Sequence, residues 1–157
     1  MSSSAPKILI YGMGNPHRGD DGIGPYCVEK ILSLAKATNF PYALEGKAIF
    51  HLSIDELETA AKYSQVVLFD ASMDINLINF SCSLVQPSAC QQFTTHLLMP
   101  EEFLYSLLQL FNARPTMHLI SIRGYYWEMS NTLSQQAKTN ADSAIAFFFS
   151  SLIKSMN

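Results

Sequence analysis

The feature that most constrains how this chain can fold is a strand pattern followed at once by a glycine-rich acidic loop. After Lys7 the chain is apolar through Tyr11, and a continuous apolar run is typical of a strand buried on both faces. Between Gly12 and Gly22 lie four glycines, a proline and two adjacent aspartates. From Ile23, apolar residues recur at helical spacing. This order predicts a strand, a tight loop and a helix.

Strand and helix patterns then alternate to the end of the chain. Further strands are predicted at residues 43–50, 65–70, 80–85 and 117–122, the third of them a half-exposed edge strand. Helices are predicted at residues 53–62, 100–111 and 133–152. Since no repeat or linker interrupts the pattern, it predicts one three-layer α/β domain over residues 1–157 with a mostly parallel sheet, preceded by a disordered lead-in at 1–6.

The second helix has a specific predicted start. Ser53 and Glu56 have the spacing of a capping box, in which each side chain bonds the backbone of the other residue. Leu52 and Leu57 have the spacing of a hydrophobic staple around that cap. The pattern therefore predicts that Ser53 caps a helix running to about Lys62.

Composition excludes several functional classes. Of 157 residues, 48% are hydrophobic and 15% are charged, which favours a folded globular protein. The net charge of −3 gives no basis for binding nucleic acid or an anionic membrane. The three cysteines, Cys27, Cys82 and Cys90, include no CxxC pair, so we expect reduced, buried thiols and a cytoplasmic location. No signal-peptide layout precedes Lys7.

Three side chains could form one chemical site. Ligands of an open α/β sheet bind outside the carboxyl ends of its parallel strands. Asp21 follows the first strand and Asp70 ends the strand at 65–70, so the two carboxylates meet if these strands are parallel neighbours. His96, in the loop before the helix at Pro100, could join them. Such a trio suits a divalent transition metal or acid–base work on a peptide bond, and the spacing does not choose between them.

The remaining polar residues of the glycine loop have lesser roles. Asn15, Arg18 and Asp20 are candidate substrate contacts, and Asp20 can also cap the helix that begins near Gly22. His17 could contact a substrate together with Arg18, but a place in a solvated loop accounts for this histidine equally well. Two other histidines are given no catalytic role, because His51 only precedes the predicted Ser53 cap and His118 opens a strand.

Other catalytic classes lack their motifs. A phosphate-binding loop of the Walker type needs Gly-Lys-Ser/Thr, which is absent, and acidic residues at the helix start would repel a phosphate. A serine hydrolase of the α/β type needs Gly-x-Ser-x-Gly, also absent. A cysteine protease needs an exposed, activated thiol, whereas Cys27 lies on the apolar face of the first helix.

At this point the motifs resemble those of the [NiFe]-hydrogenase maturation endopeptidases. The first motif is Gly12-Met13-Gly14-Asn15 with Asp20-Asp21-Gly22-Ile23-Gly24, the second is Phe69-Asp70-Ala71, and the third is Thr95-His96 before an apolar helix. Arg123-Gly124 and Leu133-Ser134 are similar to the family's last strand and final helix start. The resemblance spans essentially the whole chain.

The resemblance implies a three-layer, five-stranded α/β/α fold of the phosphorylase/hydrolase-like type. It implies an aspartic-type endopeptidase that removes the C-terminal extension of a hydrogenase large-subunit precursor once nickel is installed. Asp21, Asp70 and His96 would then recognise nickel delivered by the precursor, in a cytoplasmic monomer with no permanent cofactor. Two alternatives stay open: a non-catalytic nickel or partner-binding module, and a self-sufficient metallohydrolase of the same fold.

One segment departs from the family pattern. Many members have a glycine- and threonine-rich segment after the second strand, whereas this chain has Phe-His-Leu-Ser-Ile-Asp-Glu-Leu at 50–57. The difference resembles the subgroup that serves soluble cytoplasmic hydrogenases, and it leaves the particular precursor unassigned.

Overall fold

The computed structural model describes residues 5–89 and 97–156, and these form a five-stranded sheet in the order β2-β1-β3-β5-β4. The strands are β1 (Lys7–Met13), β2 (Ala43–Ile49), β3 (Gln65–Ser72), β4 (Phe80–Leu84) and β5 (Thr116–Arg123). β2, β1, β3 and β5 are mutually parallel, and β4 is an antiparallel edge strand. The predicted strands and the mostly parallel sheet are confirmed.

Helices cover both faces of the sheet. They are α1 (Ile23–Ala37), α2 (Leu57–Ala60), α3 (Pro100–Phe111), α4 (Gln135–Phe147) and α5 (Ile153–Ser155), with a π-helical turn at Phe148–Leu152 joining the last two. Alternate residues of β1 explain the layering: Ile8 and Ile10 pack with α1 and α4, whereas Leu9 and Tyr11 pack with α2 and α3. Because β1 and β3 are apolar at successive positions, they form the buried centre of the three predicted layers.

The predicted helix at Ser53 is wrong in length and in its cap. Residues Ile54–Glu56 form a 3₁₀ turn, α2 adds only Leu57–Ala60, and the Ser53 side chain makes no capping hydrogen bond. Glu56 instead turns inward, where it accepts hydrogen bonds from the hydroxyl of the fully buried Tyr11 (3.0 Å) and from Lys47 Nζ (2.7 Å). Glu56 therefore bonds the distant side chain of Tyr11, and the predicted local cap with Ser53 does not form.

We expect Glu56→Ala to destabilise the protein by about 1–3 kcal/mol, because it leaves the buried Tyr11 hydroxyl without its acceptor. Tyr11→Phe together with Glu56→Ala should recover part of that loss, since no unsatisfied hydroxyl is then buried. Urea unfolding of the single and double variants measures both effects. Equal losses of stability in Glu56→Ala and in the double variant would show that another group accepts the hydrogen bond of the Tyr11 hydroxyl.

The remaining helix predictions are largely confirmed. α3 begins at Pro100, as the proline and the following glutamates predict, and the Glu102 carboxylate accepts the Met99 N–H at 2.9 Å. α4 begins at Gln135, after Ser134 caps it through Ala137 N–H. No helix among the described residues is long and apolar enough to cross a membrane.

Candidate active site

The carboxyl ends of β1 and β3 define a crevice. β1 pairs with β2 on one side and with β3 on the other. The connections that leave β1 and its neighbours therefore diverge at the carboxyl end of β1. Ligands of open α/β sheets bind at such a point. Asp21 lies on the 3₁₀ turn Gly19–Gly22 just beyond β1, and Asp70 lies near the end of β3. The parallel pairing of β1 and β3 therefore brings together the two loops that carry the predicted carboxylates.

A groove of about 630 Å³ opens at this point. Asp21, Asp70 and His51 supply polar side chains to its lining, and Phe50, Leu97 and Met99 give it apolar walls. Asp21 and Asp70 thus share one groove, as predicted. The groove combines apolar walls with a few convergent polar groups, as ligand sites do.

The negative charge of Asp21 acts on the carboxyl group of Asp70. Burial and, to a lesser extent, the negative charge of Asp21 raise the pKa of Asp70 from its ordinary 3.8 to about 6, and the backbone N–H of Ala71 opposes this shift only partly. A carboxyl group with a pKa near 6 can exchange a proton near neutral pH. Burial and a nearby negative charge thus distinguish the environment of Asp70 from that of a solvated turn residue, and its catalytic or metal-binding role stays a prediction.

The glycine loop fixes the position of Asp21. Asp21 Oδ2 accepts the Asn15 N–H at 2.7 Å, and Gly14 N–H donates to the Ile49 carbonyl at 3.0 Å. Gly14 has φ of +129°, and a Cβ atom there would collide with the backbone carbonyl of Asp21. Only glycine fits at position 14, so the close approach of the loop to Asp21 explains this glycine of the first motif.

Asp20 has neither of its two predicted roles, which are substrate contact and capping of the first helix. Its side chain is fully buried and makes no capping bond to α1. Asp20 Oδ2 accepts the N–H groups of Tyr125 (2.7 Å) and Tyr126 (2.9 Å) and the Ser134 hydroxyl (2.7 Å), and Oδ1 accepts Ser134 N–H (2.7 Å). Asp20 therefore joins the glycine loop to the segment before α4, and its oxygens are not open to a substrate.

Arg18 and Asn15, the other candidate substrate contacts, lie outside the lining of the groove. Arg18 is exposed, and its Nε donates to the Trp127 carbonyl at 3.3 Å. Asn15 contributes its backbone N–H to Asp21, while its side-chain oxygen accepts the His17 N–H at 2.9 Å. The structure thus shows Asn15 supporting Asp21 and Arg18 bonded to the surface loop that follows β5.

His96 lies outside the described residues, so its predicted place beside the carboxylates stays a prediction. The segment that follows it borders the groove: Leu97 and Met99 line it, and Leu98 N–H donates to the Leu52 carbonyl at 3.1 Å. Within residues 5–89 and 97–156, no group of three or more His, Cys, Asp or Glu side chains is arranged to hold a metal ion.

His51 is the groove residue that the sequence analysis set aside. It lies just after β2, at the same edge of the sheet as Asp21 and Asp70. The rule that singled out the two aspartates, polar residues following the carboxyl ends of parallel strands, applies to His51 as well. The predicted Ser53 cap, which the structure does not contain, instead assigns His51 to the approach of a helix.

The cysteine prediction is confirmed for Cys27. This residue is fully buried on α1, and its burial strongly raises the pKa of the thiol, so no reactive thiolate is available. Cys82 is half-buried, and burial raises the pKa of its thiol as well. A thiol nucleophile is therefore not supplied by either residue.

No protein-family model matches the chain, and no curated protein matches it in sequence. Solved structures do match it. The hydrogenase maturating endopeptidase HybD from E. coli has a TM-score of 0.72 and 17% identity, over 95% of this chain and 93% of that protein. The [NiFe] hydrogenase maturation protease HycI from Thermococcus kodakarensis KOD1 has a TM-score of 0.65 and 22% identity, over 93% of this chain and 92% of that protein. The chain has the fold of the hydrogenase maturation proteases.

A third solved structure with the maturation-protease fold also matches the chain. The hydrogenase 2 maturation peptidase from Thaumarchaeota archaeon SCGC_AB-539-E09 matches 93% of this chain and 97% of its own, with a TM-score of 0.63 and 18% identity. The fold implied by the sequence motifs is confirmed, because these matches extend over almost the full length of each chain. At such identities the likeness establishes the maturation-protease fold, and function has to be argued from the groove.

Proposed function

We propose that this protein is an endopeptidase that removes the C-terminal extension of a nickel-loaded [NiFe]-hydrogenase large-subunit precursor. The observation that carries the proposal is the pair of carboxylates, Asp21 and Asp70, in one groove at the divergence point of a maturation-protease fold. Both carboxylates stand in the sequence motifs that resemble that family. We further propose that the protein acts as a cytoplasmic monomer without a resident cofactor.

Nickel enters this proposal as cargo of the substrate. Substrate thiolates hold the ion, and Asp21, Asp70 and His96 fill its open positions, since carboxylate and imidazole are suitable donors for nickel. Binding of the ion aligns the adjacent peptide segment with the groove. Only a precursor that has received its metal then presents its scissile bond correctly, which makes the metal a check on maturation.

The groove supports cleavage in two ways. Phe50 and Met99 are 65% and 63% exposed, so the walls offer apolar surface to an extended chain. Asp70, whose pKa is raised to about 6, is ionised at neutral pH and basic enough to accept a proton from an attacking water. The net reaction adds water to the peptide carbonyl carbon and breaks the C–N bond.

The decisive experiment incubates the purified protein with nickel-loaded and with nickel-free precursor and reads the products by mass. We expect loss of the C-terminal extension from the loaded precursor alone. Binding of the loaded precursor without cleavage would instead identify a non-catalytic partner module. Cleavage of simple peptides by a protein that purifies with a bound metal would identify a self-sufficient metallohydrolase.

We expect Asp21→Asn and His96→Ala each to lower the cleavage rate by about 100-fold or more, because each removes one donor from the proposed nickel-recognition set. Their melting temperatures should stay close to that of the natural protein. The matched control is Asp55→Asn, which changes an exposed aspartate outside the groove lining. Normal trimming by His96→Ala would remove His96 from the site.

A further inference from the structure

The side chain of His51 is available to a substrate in the same groove as the proposed catalytic carboxylates. The residue is exposed and follows β2 by two positions. It lines the groove with Asp21 and Asp70. No described residue forms a hydrogen bond with its ring, whereas the ring of His17, on the glycine loop, is bonded to Asn131 at 2.7 Å. Among the described residues, the His51 imidazole therefore has no hydrogen-bond partner that would keep it from a molecule in the groove.

The backbone on both sides of His51 is held in place. The Ile49 carbonyl accepts Gly14 N–H from the loop that carries Asp21, at 3.0 Å. On the other side, Leu52 is buried and its carbonyl accepts Leu98 N–H at 3.1 Å. The backbone at His51 is thus held between the Asp21 loop and the wall formed by residues 97–99.

The other ionisable groups of the described lining are all acidic. They are Asp21, Asp70 and Glu102. Glu102 is engaged at the start of α3, where it accepts the Met99 N–H. His51 is the one basic side chain among the described lining residues. An ionised carboxylate accepts protons but donates none, so while the groove carboxylates are ionised the imidazolium of His51 is the proton donor among the described lining side chains.

Peptide cleavage needs such a donor. The amide nitrogen leaves only if it receives a proton as the C–N bond breaks, and enzymes supply that proton from a positioned acid whose pKa lies near the working pH. Histidine has an ordinary pKa of about 6.5 and suits this task. Two carboxylates and an imidazole together provide both an acceptor and a donor.

Resting on the proposed function, we propose that His51 is a catalytic residue of this peptidase, the acid that protonates the leaving amine. Water attacks the scissile carbonyl carbon, and a groove carboxylate takes its proton. The C–N bond then breaks while the His51 imidazolium gives its proton to the departing nitrogen. The neutral imidazole regains a proton from solvent as the carboxylic acid of the groove releases one, so water and peptide become a carboxylic acid and an amine.

The test compares His51→Gln and His51→Ala on the nickel-loaded precursor. Glutamine keeps a hydrogen-bonding group of similar reach but cannot act as an acid, so both variants should lose about 100-fold in kcat, with KM changed less than about threefold. The decline of kcat on the alkaline side of the pH profile should disappear in both. Asp55→Asn, on the turn that follows, is the control for local disturbance.

The outcomes separate this inference from the proposed function. If the natural protein leaves the nickel-loaded precursor uncut, the proposed function fails. If the natural protein cuts and His51→Gln cuts at the same rate, the proposed function stands and the catalytic role of His51 is overturned. A rise in KM with unchanged kcat overturns it too, because His51 would then only bind substrate. Melting curves of both variants verify that the exposed substitution leaves the fold intact.

Discussion

Replacing Asp70 by asparagine is expected to stabilise the folded protein at pH 7 while abolishing precursor processing. Burial first, and the charge of Asp21 second, raise the pKa of Asp70 from 3.8 to about 6. At neutral pH the folded state must therefore carry a charge that its surroundings disfavour, at a cost of about 2–3 kcal/mol by linkage. Asparagine removes that charge, so we expect a gain of about 1–3 kcal/mol in the free energy of unfolding.

The sign of the pH dependence follows from the raised pKa. Between pH 3.8 and about 6 the folded state retains a proton that the unfolded chain has lost. The contribution of Asp70 to stability is therefore most favourable below pH 3.8 and falls as the pH rises through this window. Processing has the opposite dependence, because only the ionised carboxylate can bind nickel or accept a proton, so the rate should fall as the pH drops below about 6.

Urea unfolding of the natural protein and of Asp70→Asn at pH 4 and pH 7 measures both parts of this prediction. The difference between the two proteins should be small at pH 4 and largest at pH 7. Asp55→Asn is again the control, because that aspartate is exposed and lies outside the groove lining. A loss of stability in Asp70→Asn at pH 7 would show that the ionised Asp70 is favoured by its surroundings and that its charge carries no cost.

Replacing Asp20 by alanine is expected to destabilise the protein by about 3–5 kcal/mol, because three backbone N–H groups and one hydroxyl lose a charged acceptor together. These donors belong to Tyr125, Tyr126 and Ser134. Since Asp20 connects the glycine loop to the segment before α4, the substitution should also loosen Asp21. The cleavage rate of Asp20→Ala should therefore be reduced even at temperatures at which this variant is still folded.

Burial alone raises the pKa of Asp20, but the hydrogen bonds from Ser134, Tyr125 and Tyr126 outweigh it and hold the pKa of that carboxyl below its ordinary value. The stability that Asp20 contributes is thus present above the unfolded-state pKa and is lost as the pH falls through the folded-state pKa. Asp20 and Asp70 therefore have opposite pH dependences.

Urea unfolding of Asp20→Ala, Asp20→Asn and Ser134→Ala separates the charge from the individual bonds. Asparagine keeps one acceptor oxygen and should cost less than alanine, and Ser134→Ala, which removes the hydroxyl donor and the α4 cap, should cost about 1–2 kcal/mol. A cost below about 1 kcal/mol for Asp20→Ala would mean that water replaces the carboxylate and that the two segments do not depend on it.

The sequence by itself determined the features that have a local or periodic cause. Continuous apolar runs predicted β1 and β3, and Pro100 marked the first residue of α3. Parallel pairing of β1 and β3 then required Asp21 and Asp70 to share one edge of the sheet. These inferences succeeded because strand burial, helix starts and the crevice rule depend on short-range patterns that the chain displays directly.

The tertiary structure decided the features whose partners are distant in sequence. Glu56 has the spacing of a local cap, yet it bonds Tyr11, 45 positions away, because a buried hydroxyl is costly without an acceptor. Asp20 bonds Ser134, 114 positions away, where several donors converge on one carboxylate. His51 reaches the groove only because β2 lies beside β1. Periodicity carries no information on such pairings, since each is selected by the packing of elements that are separated along the chain.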